Sequence, residues 1–304
     1  MLQPPRARLF LRQVRLRCTL ASAGPDQSLD ASLTRLPDGR QLCWREYGDS
    51  GGYPVVFLHG TLNSRFFAPV WAKTDGISAA AGARVIALDR HGYGLTSHHA
   101  DRTYRSTAQD IAALAKFLGL ERLVVLGYSS GGPNALVCAH ELPNLVAACG
   151  LISSDGPYTI MEPAAGEAVF GIKDFANMAP EVAAERKERN SLDMREAYCS
   201  MKDPARVELG VRDLDEALRQ GYDGAVHDSI LETRDWGFKL DAVDSVPVLV
   251  WHGTDDSDVP LSAGQFLAAN IASVHEAEFI DGESHTLIRR HWESILQRTI
   301  GAAS

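Results

Sequence analysis

The sequence predicts an α/β fold with a mostly parallel central sheet and helices on both faces. Two observations carry this. Short runs that are apolar throughout recur along the chain, as strands buried on both faces require. Stretches with helical periodicity separate most of them, and such alternation over this length argues for a helix-covered parallel sheet.

The elements follow in order. Ser32 to Tyr47 reads as a hairpin, with Leu33, Leu36, Leu42 and Trp44 flanking the turn signal Pro37-Asp38-Gly39. Buried strands are predicted at Val55–Leu58, Arg84–Leu88, Leu123–Leu126, Val146–Ile152 and Val248–Trp251, with a weaker one at Ala277–Ile280. In Ser106–Leu118, Ile111, Leu114, Ala115 and Leu118 share one helical face, and Gly119 follows as a stop signal. Gly132–Leu142, Ser262–Ile271 and His285–Ile300 are further helices. From Pro157 to Leu240 there are helical pieces, punctuated by Pro163, Pro180 and Pro204, but no buried strand. That is too long for a connection. Residues 157–240 are therefore expected to form a helical lid inserted into a core made of residues 31–156 and 241–304.

Residues 1–30 form a separate N-terminal extension. Arg6, Arg8, Arg12, Arg15 and Arg17 alternate with apolar residues, and the first carboxylate is Asp26. An Arg-rich, acid-free amphipathic start is the composition of a mitochondrial or plastid transit peptide, although serine is scarce. The expected location is intracellular, in an organelle if this segment is a presequence and otherwise in the cytoplasm.

Composition excludes several function classes. The 304 residues are 45% hydrophobic and 23% charged, which argues against disorder. A net charge of −9 without a basic stripe makes a nucleic-acid partner a poor fit. No apolar run reaches the roughly 18 residues that span a bilayer. The five cysteines, Cys18, Cys43, Cys138, Cys149 and Cys199, form neither a C-x-x-C pair nor a disulfide framework, and are expected to be buried thiols in a reducing compartment.

The chemistry falls at strand ends. Gly127-Tyr128-Ser129-Ser130-Gly131-Gly132 follows a buried strand and opens a helix. G-x-S-x-G in that context is a nucleophile elbow, a strained turn that exposes a serine hydroxyl. Of the two serines, only Ser129 has glycine two positions before and two after. Gly253-Thr254-Asp255-Asp256-Ser257-Asp258-Val259-Pro260 follows the fifth run, and Gly282-Glu283-Ser284-His285 the sixth. Serine attacks only when a histidine takes its proton and a carboxylate orients that histidine. Each of the three falls in a loop after a predicted strand, so all three can meet at one edge of the sheet. Asp255, Asp258 and Asp155, at the end of the fourth strand, compete with Asp256 for the acid, and His291 competes with His285.

These motifs, with His59-Gly60-Thr61 and Asp89-Arg90-His91-Gly92-Tyr93-Gly94, resemble the α/β-hydrolase fold family in its serine-nucleophile, lid-bearing branch. The resemblance runs from about Leu33 to the C-terminus. It implies Ser129 as nucleophile, Asp256 as acid and His285 as base. It also implies an oxyanion hole from the backbone N–H groups of Thr61 and Ser130. His59 shapes that loop, and His98 and His99 belong to the loop surface. A serine nucleophile excludes the aspartate-based branches and implies acyl transfer to water through an acyl-enzyme, with no cofactor or metal required. A small or medium carboxylic ester is the expected substrate. The rivals within enzymes are a C–C bond hydrolase, a lactonase, an aminopeptidase and a cofactor-free haloperoxidase. The rival outside them is a small-molecule sensor or inactive relative using the same pocket.

Overall fold

The computed structural model describes residues 31–67, 74–161 and 178–304. The N-terminal extension lies outside these residues. An eight-stranded sheet organises them. Its strands are β1 (Ser32–Arg35), β2 (Gln41–Gly48), β3 (Tyr53–Leu58), β4 (Ala83–Leu88), β5 (Leu123–Tyr128), β6 (Val146–Ile152), β7 (Val248–Gly253) and β8 (Val274–Ile280). The order across the sheet is β1-β2-β4-β3-β5-β6-β7-β8. Strands β3 to β8 run parallel, while β2 pairs antiparallel with both β1 and β4. The expected hairpin therefore forms, and its longer strand extends the parallel sheet at one edge.

Period-two alternation divides the apolar runs between two cores. Val56, Leu58, Ile86, Leu88, Val125 and Val250 face one, against helices α2 (Tyr104–Leu118), α3 (Gly131–Glu141) and α7 (Leu261–Asn270). Val55, Phe57, Val85, Val124, Leu126 and Trp251 face the other, against α8 (Ile288–Ala302) and the shorter α1 (Thr74–Ala80). Helix α2 ends as its sequence requires, with Gly119 in the left-handed region at φ +68°. Cys43, Cys138 and Cys149 are buried free thiols, packed as small apolar groups, whereas Cys199 is disulfide-bonded and only partly buried, against the expectation of buried thiols throughout.

Between β6 and β7 the described residues form α4 (Pro180–Cys199), α5 (Pro204–Ala217) and α6 (Asp223–Glu232). Residues 162–177 of this stretch lie outside the described residues. Helices α5 and α6 are fastened to the core by buried carboxyl groups. Asp228 of α6 binds Arg90 Nη2 at 2.6 Å and Arg102 Nη2 at 2.6 Å, and accepts from Tyr93 Oη at 2.6 Å. On α5, Asp213 and Glu216 stand one turn apart. Asp213 accepts from Ser64 N at 2.9 Å, Ser64 Oγ at 2.7 Å and Asn63 Nδ2 at 2.9 Å. Glu216 binds Arg65 Nη1 at 2.7 Å, and Arg65 also holds Asp89. These arginines and carboxylates are all buried. No helix among the described residues is long and apolar enough to cross a membrane.

Asp228 offers the sharpest test of this fastening. Burial alone would raise its pKa, but the two guanidiniums outweigh it and hold the carboxyl well below its usual range. Its contribution to stability is therefore present above the unfolded carboxylate value of about 3.9 and is lost as the pH falls towards the folded value. Asp228→Ala leaves two buried cations uncompensated. It is expected to cost about 3–5 kcal/mol at neutral pH, read from urea unfolding. A loss under 1 kcal/mol would mean that the clamp does not anchor α6.

Candidate active site

The elbow places Ser129 at the C-terminal end of β5, in the left-handed region at φ +53°. Its N–H donates to Ile152 O at 3.0 Å on the neighbouring strand, and its carbonyl accepts from Gly132 N at 2.9 Å. The flanking glycines are required by space. A Cβ at Gly127 would overlap the Gly131 carbonyl, and one at Gly131 would overlap the carbonyl of Leu58. Both obstacles are backbone, so neither can swing aside.

Asp256 and His285 come together from the loops after β7 and β8. His285 Nδ1 lies 2.8 Å from Asp256 Oδ2, and the Asp256 side chain is fully buried. The other carboxylate oxygen accepts from the N–H groups of Asp258 and Val259, both at 2.9 Å. An acceptor so engaged fixes the imidazole as the Nδ1–H tautomer and leaves Nε2 to take a proton. Burial lowers the His285 pKa, but the hydrogen bond and charge of Asp256 outweigh it, so the net shift is upward. The His285 ring packs on that of Tyr128, the residue before Ser129, at 5.1 Å between centroids.

The competing residues face solvent or have other hydrogen-bond partners. Asp255 and Asp258 are exposed. Asp155 is buried and accepts from Tyr158 Oη at 2.7 Å. His291 Nε2 lies 3.3 Å from Glu283. His98 is exposed and His99 half-buried.

Thr61 and Ser130, the two residues of the expected oxyanion hole, are tied to each other. Thr61 Oγ1 donates to Ser130 Oγ at 2.9 Å. Ser130 Oγ also accepts from Arg90 Nη2 at 2.8 Å. Beneath them His59 is wholly buried. Its Nδ1–H donates to Gly60 O at 2.8 Å, while Nε2 accepts from Arg90 N at 3.0 Å. Burial, reinforced by the Arg90 charge, holds its pKa well below the ordinary imidazole value. A neutral ring with both nitrogens engaged shapes the loop and does not shuttle protons.

Sequence reasoning missed the supports of this arrangement. Ser153 adopts φ +45° and donates through Oγ to His285 O at 2.9 Å. His252 Nε2 donates to Val259 O at 3.1 Å and lies 3.4 Å from Asp256 Oδ2. Asp213, Glu216 and Asp228 hold the loops carrying Asn63, Arg65 and Arg90. The one available signal was that Ser153 and His252 sit where apolar runs end, as the motif residues do.

With this geometry in view, the comparison with known proteins is direct. The family model described as alpha/beta hydrolase fold matches residues 53–288. The chain belongs to the α/β-hydrolase fold family. It is 30% identical over 269 residues to a non-heme chloroperoxidase of Streptomyces lividans, covering 84% of this chain and 93% of that protein. It is 28% identical over 260 residues to a non-heme haloperoxidase of Rhodococcus erythropolis, covering 82% and 90%. Among solved structures, an esterase from Exiguobacterium antarcticum superimposes with a TM-score of 0.67 at 20% identity, over 90% of this chain and 98% of that one. At that identity the likeness concerns the fold alone.

The glycine requirement is open to test. Gly131→Ala forces the Leu58 strand end to move and is expected to cost about 2 kcal/mol or more. Gly301→Ala, in α8 with open space around it, is expected to be neutral or slightly stabilising. Equal chemical-denaturation midpoints for the two variants would refute the steric argument.

Proposed function

We propose that the chain is a serine hydrolase of carboxylic esters that works through an acyl-enzyme. The observation that carries this is the 2.8 Å Asp256–His285 pair, packed on Tyr128, the residue before a serine held in a left-handed turn. In this reading His285 Nε2 takes the proton of Ser129, whose Oγ attacks the ester carbonyl. The backbone N–H groups of Thr61 and Ser130 hold the oxyanion, as fixed donors that need no reorganisation when charge develops. Protonated His285 gives its proton to the leaving alcohol, then activates water to release the acid. Residues 157–240 act as a lid that encloses a small or medium substrate.

The likeness to two proteins named non-heme haloperoxidases favours a second outcome of the same acyl-enzyme. If hydrogen peroxide replaces water at deacylation, the product is a peracid, and the peracid oxidises halide in solution. Ser129, His285 and Asp256 keep their roles, and only the second nucleophile changes.

A fluorophosphonate probe tests the nucleophile. The label is expected on Ser129 by mass spectrometry and is expected to vanish in Ser129→Ala and His285→Ala. Well-folded wild-type protein that takes no label would overturn the acyl-enzyme.

The pH profile tests the base. His285 acts when neutral, so kcat/KM rises with pH through its pKa. Because the Asp256 pairing raises that pKa, the acid limb is expected above the ordinary imidazole value of about 6.5. Asp256→Asn is expected to lower kcat by about 10³–10⁴-fold and to move the limb to lower pH. An unmoved limb would show that Asp256 is not the orienting acid.

A further inference from the structure

A second group of buried polar residues lies one helical turn from the Asp228 clamp. Helix α6 presents Asp228 and Glu232 at i and i+4, on one face. Asp228 is fully engaged by Arg90, Arg102 and Tyr93. Glu232 is only 5% exposed, yet its Oε1 has no hydrogen-bond partner. Two more polar atoms here are in the same position. Tyr104 Oη and Trp236 Nε1 are buried and unpartnered, and their rings pack edge-on at 5.6 Å. Glu232 acts electrostatically on Tyr104, Asp155 and the buried Lys187 of α4.

Two connections tie this group to the elbow. On one side, Asp228 holds Arg90, which donates to Ser130 Oγ at 2.8 Å. On the other, Asp155 donates its backbone N–H to Ser129 O at 3.4 Å, and its carboxylate accepts from Tyr158. Buried polar groups nearly always find partners. Three unpartnered atoms lie in one neighbourhood, linked by the Tyr104–Trp236 ring contact and by the charge of Glu232 on Tyr104, and Asp155 connects that neighbourhood to Ser129.

We propose that Glu232, Tyr104 and Trp236 form a subsite for a neutral hydrogen-bonding group, a hydroxyl or carboxamide, carried by the substrate of Ser129. This rests on the ester-hydrolase reading and names its substrate class more closely. Buried charges of both signs act on Glu232, Lys187 and Arg90 on one hand and Asp155 and Asp228 on the other, so an ion of either sign would meet like charge. Burial and the nearby Asp155 push the Glu232 carboxyl up to about 8. Lys187 opposes that shift, and a carboxyl raised in this way can carry a proton, and then both donates and accepts. Tyr104 also does both, and Trp236 only donates. A hydroxyl or carboxamide answers such a set, whereas a plain alkyl group leaves all three unpaired. Sites built to hydrogen-bond a substrate group discriminate strongly against analogues that lack it.

The test separates binding from turnover. Ser129→Ala protein is titrated by calorimetry with uncleaved amides of four to eight carbons. They are supplied as matched pairs, with and without a terminal hydroxyl or carboxamide on the acyl or the amine side. The polar member of at least one pair is expected to bind 10-fold tighter or more. That preference is expected to fall below 3-fold when Glu232→Leu or Tyr104→Phe is added, and to survive Glu232→Gln. If no pair discriminates, or if the preference survives both changes, the subsite does not exist. Should Glu232→Leu fail to fold, Tyr104→Phe, which removes one oxygen, decides alone. The same pairs, offered as esters to the wild-type chain, report on the chemistry. Discrimination in binding without turnover of any ester would sink the hydrolase reading and leave the subsite standing.

Discussion

Everything about the site depends on one turn of backbone. Ser129 sits at φ +53°, a conformation that a residue with a side chain enters only under constraint. The constraint is backbone pressed against backbone, with no Cβ tolerated at Gly127 or Gly131. The ladder bond from Ser129 N to Ile152 O fixes the strand side, and the bond from Gly132 N to Ser129 O starts the helix. Because β3, β5 and β6 are adjacent in the sheet, the same packing brings the ends of Leu58, Tyr128 and Ile152 level. The His59–Thr61 loop and the Ser153–Asp155 loop therefore flank the serine without any interaction of their own being required.

Helices α5 and α6 are fixed in a different way. They are held by buried carboxylates that reach the loops after β3 and β4. Taking such charges out of water is costly, and a buried ion pair is weak evidence for stability gained. What the pairs supply is position. Asp213 has only one arrangement that satisfies both Ser64 donors and Asn63. Arg90 likewise spans Asp228 and Ser130 with a planar, five-donor group that leaves little choice of geometry.

The sequence showed those parts of the molecule that local pattern encodes. Five buried runs, the hairpin and the glycine stop of α2 are properties of short windows, and all were readable. The elbow was readable because glycine at two fixed offsets has a steric meaning. Helix α1 was not. It has seven residues with Gly76 inside and too little periodicity to register. The antiparallel pairing of β2 with β4 was hidden because nothing local specifies a partner some forty residues away. Asp213, Glu216 and Asp228 were hidden more thoroughly. Carboxylates along a helix read as a solvated face, and only the fold reveals arginines beneath them. Asp256 differs from Asp255 and Asp258 in its spacing to Val259-Pro260. The structure shows the physical content of that spacing, since Val259 N donates to the Asp256 carboxylate.

The charged clamps also link chemistry to selectivity. Residues that hold Asp256 and His285 belong to strand ends, while Glu232 and Lys187 belong to the helices between β6 and β7. Arg90 touches both sets. It supports His59 through its backbone, Ser130 through one nitrogen and Asp228 through both. A shift of α6 would thus be felt at Ser130, where an oxyanion donor is expected, as well as at Glu232. A substrate group that seats against Glu232 would steady α6, and through Asp228 and Arg90 the backbone beside Ser129. In such an arrangement, contacts far from the reacting carbonyl are repaid in kcat as well as in KM, because they act on the position of donors used only once charge develops.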